Sequence, residues 1–286
     1  MTLRRPLLRY LGSKWRLAPW LIGQFPPHEI YVEPFGGAAA VLLRKERVRT
    51  EVYNDVDSEL VNLFRVLRDE SGAAARLLRA VALTPYARDE YVASFERAEC
   101  PIERARRLVV RLHMGHGTRG TRTDRAAGFR SDGTSGTTRV AGEWAEFPLA
   151  LRAIIDRLRG VQIENKCALD LLDYWSSPRA LIYLDPPYLP ETRSCKARQR
   201  EGFHTYRHEL TVEQHVELLD RACASSAMVA ISGYAAPLYE ERLTDWLKVE
   251  TAARAHRNLE RTEVLWLNPA AVRARLVGPL FQAAAA

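Results

Sequence analysis

An alternation along the chain limits its possible folds most severely. Short apolar runs of strand character end in Gly, Pro, Asn or Asp turns and take turns with amphipathic segments of helical period. IYVE at 30–33 runs into the turn PFGG, and AAAVLLRKE after it is rich in helix formers. EVYND at 51–55 reads as a second strand. Asp57 then caps a helix on which Leu60, Leu63, Phe64 and Leu67 share one face. Further on, Pro148 is expected to open a helix at LALRAIIDRLRG, followed by strand VQIEN, a short helix around LDLLDYW and strand ALIYLD. Thr211 and Gln214 form a capping box for a helix to Cys223, AMVAISG is the next strand, and LKVETAAR pairs with TEVLWLN as a closing hairpin. Strands separated by helices imply an α/β fold, with a mainly parallel sheet covered on both faces.

The alternation is broken once. From 71 to 113 the chain reads as successive helices, and Gly115 to Gly142 holds seven of the sixteen glycines together with Ser, Thr and Arg, a loop composition. The expected organisation is therefore a main domain built from 1–70 and 147–286, with 71–146 inserted. At the start of the chain, Ser13 is expected to cap a helix through Trp20 and Leu21 that Pro26 and Pro27 stop.

Net charge is +7 and the computed pI about 9.4, which favours a polyanionic partner. Between Arg104 and Arg139 nine arginines face only two acids, Asp124 and Asp132, an excess equal to that of the whole chain. The four cysteines, Cys100, Cys167, Cys195 and Cys223, lack the close pairing of a zinc or redox motif, so no metal is expected. They read as reduced thiols of an intracellular, cytoplasmic protein. The basic N-terminus lacks a secretory pattern, and no stretch approaches the roughly 20 apolar residues of a membrane span.

Two strand ends carry the residues of chemical interest. Gly36 and Gly37 follow IYVEPF and precede a helix, where small residues let backbone N–H groups approach a ligand; a plain tight turn would leave the same trace. Asp55 stands where nucleotide-binding sheets place an acid for ribose hydroxyls, while Asp57 looks more like a cap. Glu33 either faces a cationic ligand or ends its strand. At 185–188 the sequence reads DPPY, directly after ALIYL. The lone pair of an aryl amine is delocalised into its ring, so a site that uses one as nucleophile must accept its N–H bonds and let the nitrogen become tetrahedral. The Asp185 carboxylate and the Pro186 carbonyl can be those acceptors, Pro187 stiffens the turn, and Tyr188 offers a face for an unstacked base.

These pieces resemble the Dam-type, class α (D12) family of adenine-specific N6 DNA methyltransferases. The matching segments are RYLGSKWRLAPWL, YVEPFGGAAAVLL, YNDVDSELVNLFRVLR, LIYLDPPY and RTEVLWLN, in the family's order and over most of the chain. The resemblance implies a Rossmann-like seven-stranded mixed sheet of the class I S-adenosylmethionine-dependent type, with a target-recognition insert at 71–146. It also implies S-adenosyl-L-methionine as cofactor, held through Tyr10, Gly12, Ser13, Lys14, Glu33, Pro34, Phe35, Gly36, Gly37 and Asp55. Asp185, Pro186, Pro187 and Tyr188 match the family's catalytic motif, and its substrate is a flipped adenine in double-stranded DNA. Where many relatives have F-x-G-x-G this chain has FGGAA, which leaves the exact cofactor contacts open.

Arg119, Arg122, Arg125 and Arg130 of the insert can reach phosphates or guanine edges, and Lys196, Arg198 and Arg200 follow DPPY as a second basic cluster. Arg104, Arg106, Arg107 and Arg111 lie on an expected helix, either for DNA or as a solvated face. Two other readings stay open: an RNA adenine N6-methyltransferase, which shares the amino-group chemistry, and a non-catalytic nucleic-acid-binding module on the same fold.

Overall fold

The structure, a computed structural model, describes residues 3, 5–116, 128–132, 139–189, 192, 208–254 and 260–284. Its strands are β1 (Ile30–Glu33), β2 (Thr50–Asn54), β3 (Gln162–Glu164), β4 (Ala180–Leu184), β5 (Met228–Gly233), β6 (Leu247–Arg254) and β7 (Glu260–Leu267). They form one seven-stranded sheet in the order β3-β2-β1-β4-β5-β7-β6. β1 pairs in parallel with β2 and β4, and β4 with β5, whereas β7 runs antiparallel to both β5 and β6. The sheet is thus mixed, and the closing hairpin expected from LKVETAAR and TEVLWLN is the β6–β7 pair.

The helices are α1 (Ala18–Gln24), α2 (Ala40–Arg44), α3 (Ser58–Arg68), α4 (Ala73–Leu83), α5 (Arg88–Ala93), α6 (Pro101–Met114), α7 (Val140–Leu158), α8 (Ala168–Tyr174), α9 (Val212–Ala224), α10 (Pro237–Arg242) and α11 (Pro269–Ala284). The chain divides into two compact units. One comprises Met1–Trp15, Gly37–Arg44 and Asp57–Asn165, and the other Arg16–Gly36, Lys45–Val56 and Lys166–Ala286.

In the second unit the strand period of two sorts residues cleanly between faces. Val32, Val52, Ile182, Leu184, Val229, Ile231, Val264 and Trp266 form one buried row, continuous through the register Val32↔Ile182, Ile182↔Val229 and Ile231↔Trp266. Leu171 and Leu172 of α8, Leu218 and Leu219 of α9 and Tyr239 of α10 cover it. The opposite face carries Tyr31, Tyr183 and Ser232, and Phe25 packs against the first two at ring-centroid distances of 6.2 and 5.6 Å. The capping box at Thr211 and Gln214 and the cap at Asp57 form as read from the sequence. Helix α11 is an addition to the elements expected from the sequence. Asn268 starts it by accepting from the Ala271 amide at 2.9 Å, with Pro269 at the first helical position, a cap-and-proline signature that the sequence does contain.

Two expectations need correction. Ser13 caps no helix: α1 begins at Ala18, after Leu17, with Pro19 in its first turn. Pro148 opens no helix either, because α7 starts at Val140 and passes through it. Val140, Trp144, Phe147, Leu151, Ile154 and Leu158 make one buried stripe of helical spacing, and burial of that stripe outweighs the backbone bond that proline removes. The Trp144 indole N–H donates to the Thr84 carbonyl at 2.7 Å and ties α7 to the end of α4.

The turn after β1 is held by a side chain absent from the sequence-derived candidates. Asn54, fully buried at the end of β2, donates to the Pro34 carbonyl at 2.8 Å and the Lys166 carbonyl at 3.1 Å, and accepts from the Lys166 amide at 2.8 Å. Beside it the Gly36 amide donates to the Asn54 carbonyl at 2.7 Å, so close that a Cβ on Gly36 would stand 2.2 Å from a Tyr53 ring carbon. Gly36 is therefore a packing glycine. Asn54→Ala, which removes three hydrogen bonds, the one to the Pro34 carbonyl buried and the two to Lys166 partly so, is expected to lower unfolding free energy by about 2–4 kcal/mol. Gly36→Ala should cost about 1–3 kcal/mol through overpacking. Urea denaturation checks both.

In the first unit His113 packs on Phe147 at 4.2 Å and donates from Nε2–H to the Leu7 carbonyl at 3.0 Å. Burial lowers its pKa to about 4 from the usual 6.5. A base whose folded pKa is depressed binds its proton more readily when unfolded, so stability is full above about pH 6.5 and falls as the pH drops toward 4. His113 as a residue is partly exposed, which trims the expected loss to about 1–3 kcal/mol. His28 is shifted the same way by burial. Denaturation at pH 7.5, 5.5 and 4.5 is expected to show this slope, and His113→Gln to flatten it in part.

Candidate active site

Strand order reverses between β1 and β4: the chain leaves β1 toward β2 on one side and β4 toward β5 on the other. In open α/β sheets the crevice beyond the carboxyl ends of such a strand pair is where ligands bind. The register Val32↔Ile182 brings the two ends out together, so Glu33 and the PFG that follows it emerge beside Asp185 and PPY. This end of the second unit collects Glu33, Pro34, Phe35, Gly36, Asp55, Asp185, Pro186, Pro187 and Tyr188 from the sequence-derived candidates.

Asp185 sits partly exposed at the mouth of β4 while Pro186 and Leu189 are buried, which anchors the loop on both sides. One carboxylate oxygen, Oδ1, accepts from the Ser232 hydroxyl at 2.8 Å. An ionised carboxylate only accepts, so Ser232 spends its single proton there and must itself accept from the Tyr183 hydroxyl, 2.8 Å away. Tyr183 and Ser232 are both buried, and burial, followed by the field of Asp185, holds the phenol of Tyr183 well above its usual pKa. The proton chain Tyr183–Ser232–Asp185 thus ends in the core. Tyr188 is half-buried, donates its hydroxyl to Glu263 on β7 at 2.9 Å, and meets Tyr234 at 4.7 Å with the rings 72° apart. Ser232, Tyr234 and Glu263 are absent from the sequence-derived candidates: each stands tens of residues from the tetrad, and β5 and β7 bring them to it.

Glu33 is almost fully buried and accepts from the Tyr31 hydroxyl at 3.3 Å, two residues back on the same strand face. Burial, reinforced by Glu33, raises the Tyr31 phenol well above its usual pKa. Lys45 and Glu51 form a buried ion pair at 3.0 Å, with the ammonium 4.7 Å from the Tyr31 ring centroid. Asp55 lies partly exposed just past the end of β2, while Asp57 accepts from the Glu59 amide at 2.9 Å as a helix cap. The two acids therefore separate into a strand-end residue and a cap.

In the first unit, Tyr10 to Ser13 is a turn in which the Ser13 amide donates to the Tyr10 carbonyl at 3.2 Å and Gly12 takes φ +73°. Lys14 is buried, its ammonium 3.2 Å from the Gly12 carbonyl. The Ser13 hydroxyl oxygen is buried with no hydrogen-bond partner among the described residues. Gly37 has φ +50°, and a Cβ there would come within 3.3 Å of the Tyr10 ring. Ala39 has φ +53°. Set against F-x-G-x-G, FGGAA keeps the first glycine as Gly37 and puts Ala39, in a backbone conformation that normally takes glycine, at the second.

The basic helix is turned to structural use. Arg104 pairs with Glu59 at 2.5 Å, and Arg106 with Glu90 and Glu103 at 2.8 Å each. Arg107 pairs with Glu103 at 2.7 Å, and the buried Arg111 donates to the Ser94 carbonyl. Hydrogen bonding from Arg106 holds the Glu103 carboxyl at about 2. Arg130 lies 3.4 Å from Glu143. Arg119, Arg122, Arg125, Lys196, Arg198 and Arg200 fall outside the described residues.

Comparison with known proteins gives the family. The Type II methyltransferase M1.LlaDCHI of Lactococcus lactis subsp. cremoris is similar to this chain, 23% identical over 261 residues that span 85% of each protein. The family described as D12 class N6 adenine-specific DNA methyltransferase matches residues 10–252. The chain, whose mixed seven-stranded sheet sends DPPY off the end of β4 next to β1, belongs to the D12 class of N6 adenine-specific DNA methyltransferases.

Proposed function

We propose that the methyl donor is S-adenosyl-L-methionine and that the acceptor is the N6 amino group of an adenine swung out of double-stranded DNA. The observation that carries the reading is Asp185, held by Ser232 through one oxygen at the carboxyl end of β4, two positions before Pro187 and three before Tyr188. The residues suit a sulfonium nucleoside: Ser13 has a buried hydroxyl without a partner among the described residues, and Glu33 and Asp55 put carboxylates at the ends of β1 and β2, suited to hydroxyl or ammonium groups. Tyr10, Gly12, Lys14, Pro34, Phe35, Gly36 and Gly37 complete the proposed cofactor set. The donor, when bound, supplies an electrophilic methyl group.

The chain's own contribution is positioning and hydrogen bonding. The Asp185 carboxylate, held in place by Ser232, accepts one amino N–H, and the Pro186 carbonyl accepts the other. Both acceptors draw the nitrogen lone pair out of conjugation and toward in-line attack. Tyr188 stacks on the extruded base and sets its angle. The nitrogen gives up a proton once the new bond forms. Because the Tyr183–Ser232 chain ends in buried side chains, that proton leaves by way of the partly exposed Asp185 carboxylate and not through the sheet. Arg119, Arg122, Arg125, Arg130, Lys196, Arg198 and Arg200 are proposed to contact DNA, with 71–146 as the recognition segment; Arg130 does so only by leaving Glu143. The similarity to a Type II methyltransferase favours a restriction-modification setting inside the cell.

Labelled methyl transfer from S-adenosylmethionine to unmethylated duplex DNA, followed by nucleoside analysis, tests this reading. N6-methyladenine is expected, with Asp185→Ala folded but slower by about 10²-fold or more. Label on structured RNA in preference to DNA, or full activity in Asp185→Ala, would sink it. Replacing Arg119, Arg122 and Arg125 together with alanine is expected to reduce the slope of log binding constant against log salt by about 2–3. An unchanged slope would remove them from the DNA interface.

A further inference from the structure

We infer that Glu263 is a positioning residue for the methyl transfer, holding Tyr188 in its working orientation through the tyrosine hydroxyl. The inference rests on the proposed stacking of Tyr188 on the target base. A phenylalanine would offer the same flat face, so stacking alone leaves the Tyr188 hydroxyl without a purpose. Its proton goes to Glu263 Oε2 at 2.9 Å, across 75 residues of sequence, and a carboxylate acceptor makes this a charge-assisted bond.

The sheet puts Glu263 where it can do this. β5 and β7 are antiparallel with Gly233 opposite Val264, so the next residues along, Tyr234 and Glu263, stand together at the carboxyl end of β5. The pairing Ser232↔Leu265 places Glu263 on the face of Ser232, the residue that holds Asp185. Tyr234 meets the Tyr188 ring at 4.7 Å in a perpendicular contact. The phenol is thus fixed at its oxygen by β7 and braced at its ring by the residue after β5, while the other end of the tetrad is fixed by Ser232. A half-buried tyrosine has two rotatable side-chain bonds, and tethering the far atom of the ring removes most of that freedom before the base arrives.

The test is steady-state methylation of unmethylated genomic DNA by Glu263→Ala, Glu263→Gln, Tyr188→Phe, Tyr188→Ala and the double variant Glu263→Ala/Tyr188→Phe, with thermal melting and cofactor KM measured alongside. Glu263→Ala and Tyr188→Phe are each expected to lower kcat by about tenfold with the cofactor KM unchanged. The double variant is expected to be no slower than either single one, because both remove the same bond. Glu263→Gln, which keeps an acceptor oxygen, should recover activity to within about threefold of the parent. Wild-type kcat in Tyr188→Phe, or losses that multiply in the double variant, would overturn the inference. Tyr188→Phe removes the same bond with Glu263 untouched, so its kcat decides the matter even if Glu263→Ala melts early. If Tyr188→Ala is inactive while Tyr188→Phe and Glu263→Ala both keep the parent kcat, the stacking reading survives and only the role of Glu263 is lost. Full activity in Tyr188→Ala would overturn both.

Discussion

The parallel pairing of β1 with β4 is the constraint from which the site follows. These two strands are neighbours in the sheet but about 150 residues apart in the chain, as the register Ile30↔Ala180 shows. Their onward connections run to opposite sides, so neither crosses the gap at their carboxyl ends. Both ends carry short, conformationally limited turns: PFGG, held by Asn54 and by the close approach of Gly36 to Tyr53, and DPPY, with two prolines. A ligand meeting this edge meets backbone that is already in place, so little conformational entropy remains to be lost on binding.

Around that edge the polar groups are organised by the strand period. Tyr31, Glu33, Tyr183 and Ser232 lie on one face because residues two apart on a strand point the same way, and the register carries that face across neighbouring strands. Apolar residues fill the other face under α8, α9 and α10. The segregation lets buried hydroxyls and carboxylates satisfy one another beside the site without weakening the core. Each tether has a defined donor: Tyr183 to Ser232, Ser232 to Asp185, Tyr188 to Glu263.

Charge needed the structure for its meaning. The excess of arginine between 104 and 139 points to a polyanion, yet Arg104, Arg106 and Arg107 are paired with Glu59, Glu90 and Glu103. Arg111 is buried against the Ser94 carbonyl. A net count cannot distinguish a cation that braces two helices from one that faces solvent, because the partner acids come from other elements of the chain. The same is true of Pro148. Locally it reads as a helix start, but the apolar stripe from Val140 to Leu158 runs through it, and only packing against α3 and α4 reveals that the stripe is one surface.

The sequence by itself determined what depends on near neighbours. Strand runs such as IYVE and ALIYL, caps at Asp57 and Thr211, the glycine turn and the tetrad at 185–188 are all set by spacing and backbone preference within a few residues. It also carried the family resemblance, since the motifs stand in a characteristic order. Only the tertiary structure decided which distant groups serve those motifs: Asn54 on the PFGG turn, Ser232 on Asp185, and Glu263 and Tyr234 on Tyr188. The reason is physical. A hydrogen bond between strands depends on sheet order and register, which arise from packing the whole chain, and no local pattern encodes that the serine of β5, or which glutamate of β7, will arrive within 3 Å of the tetrad.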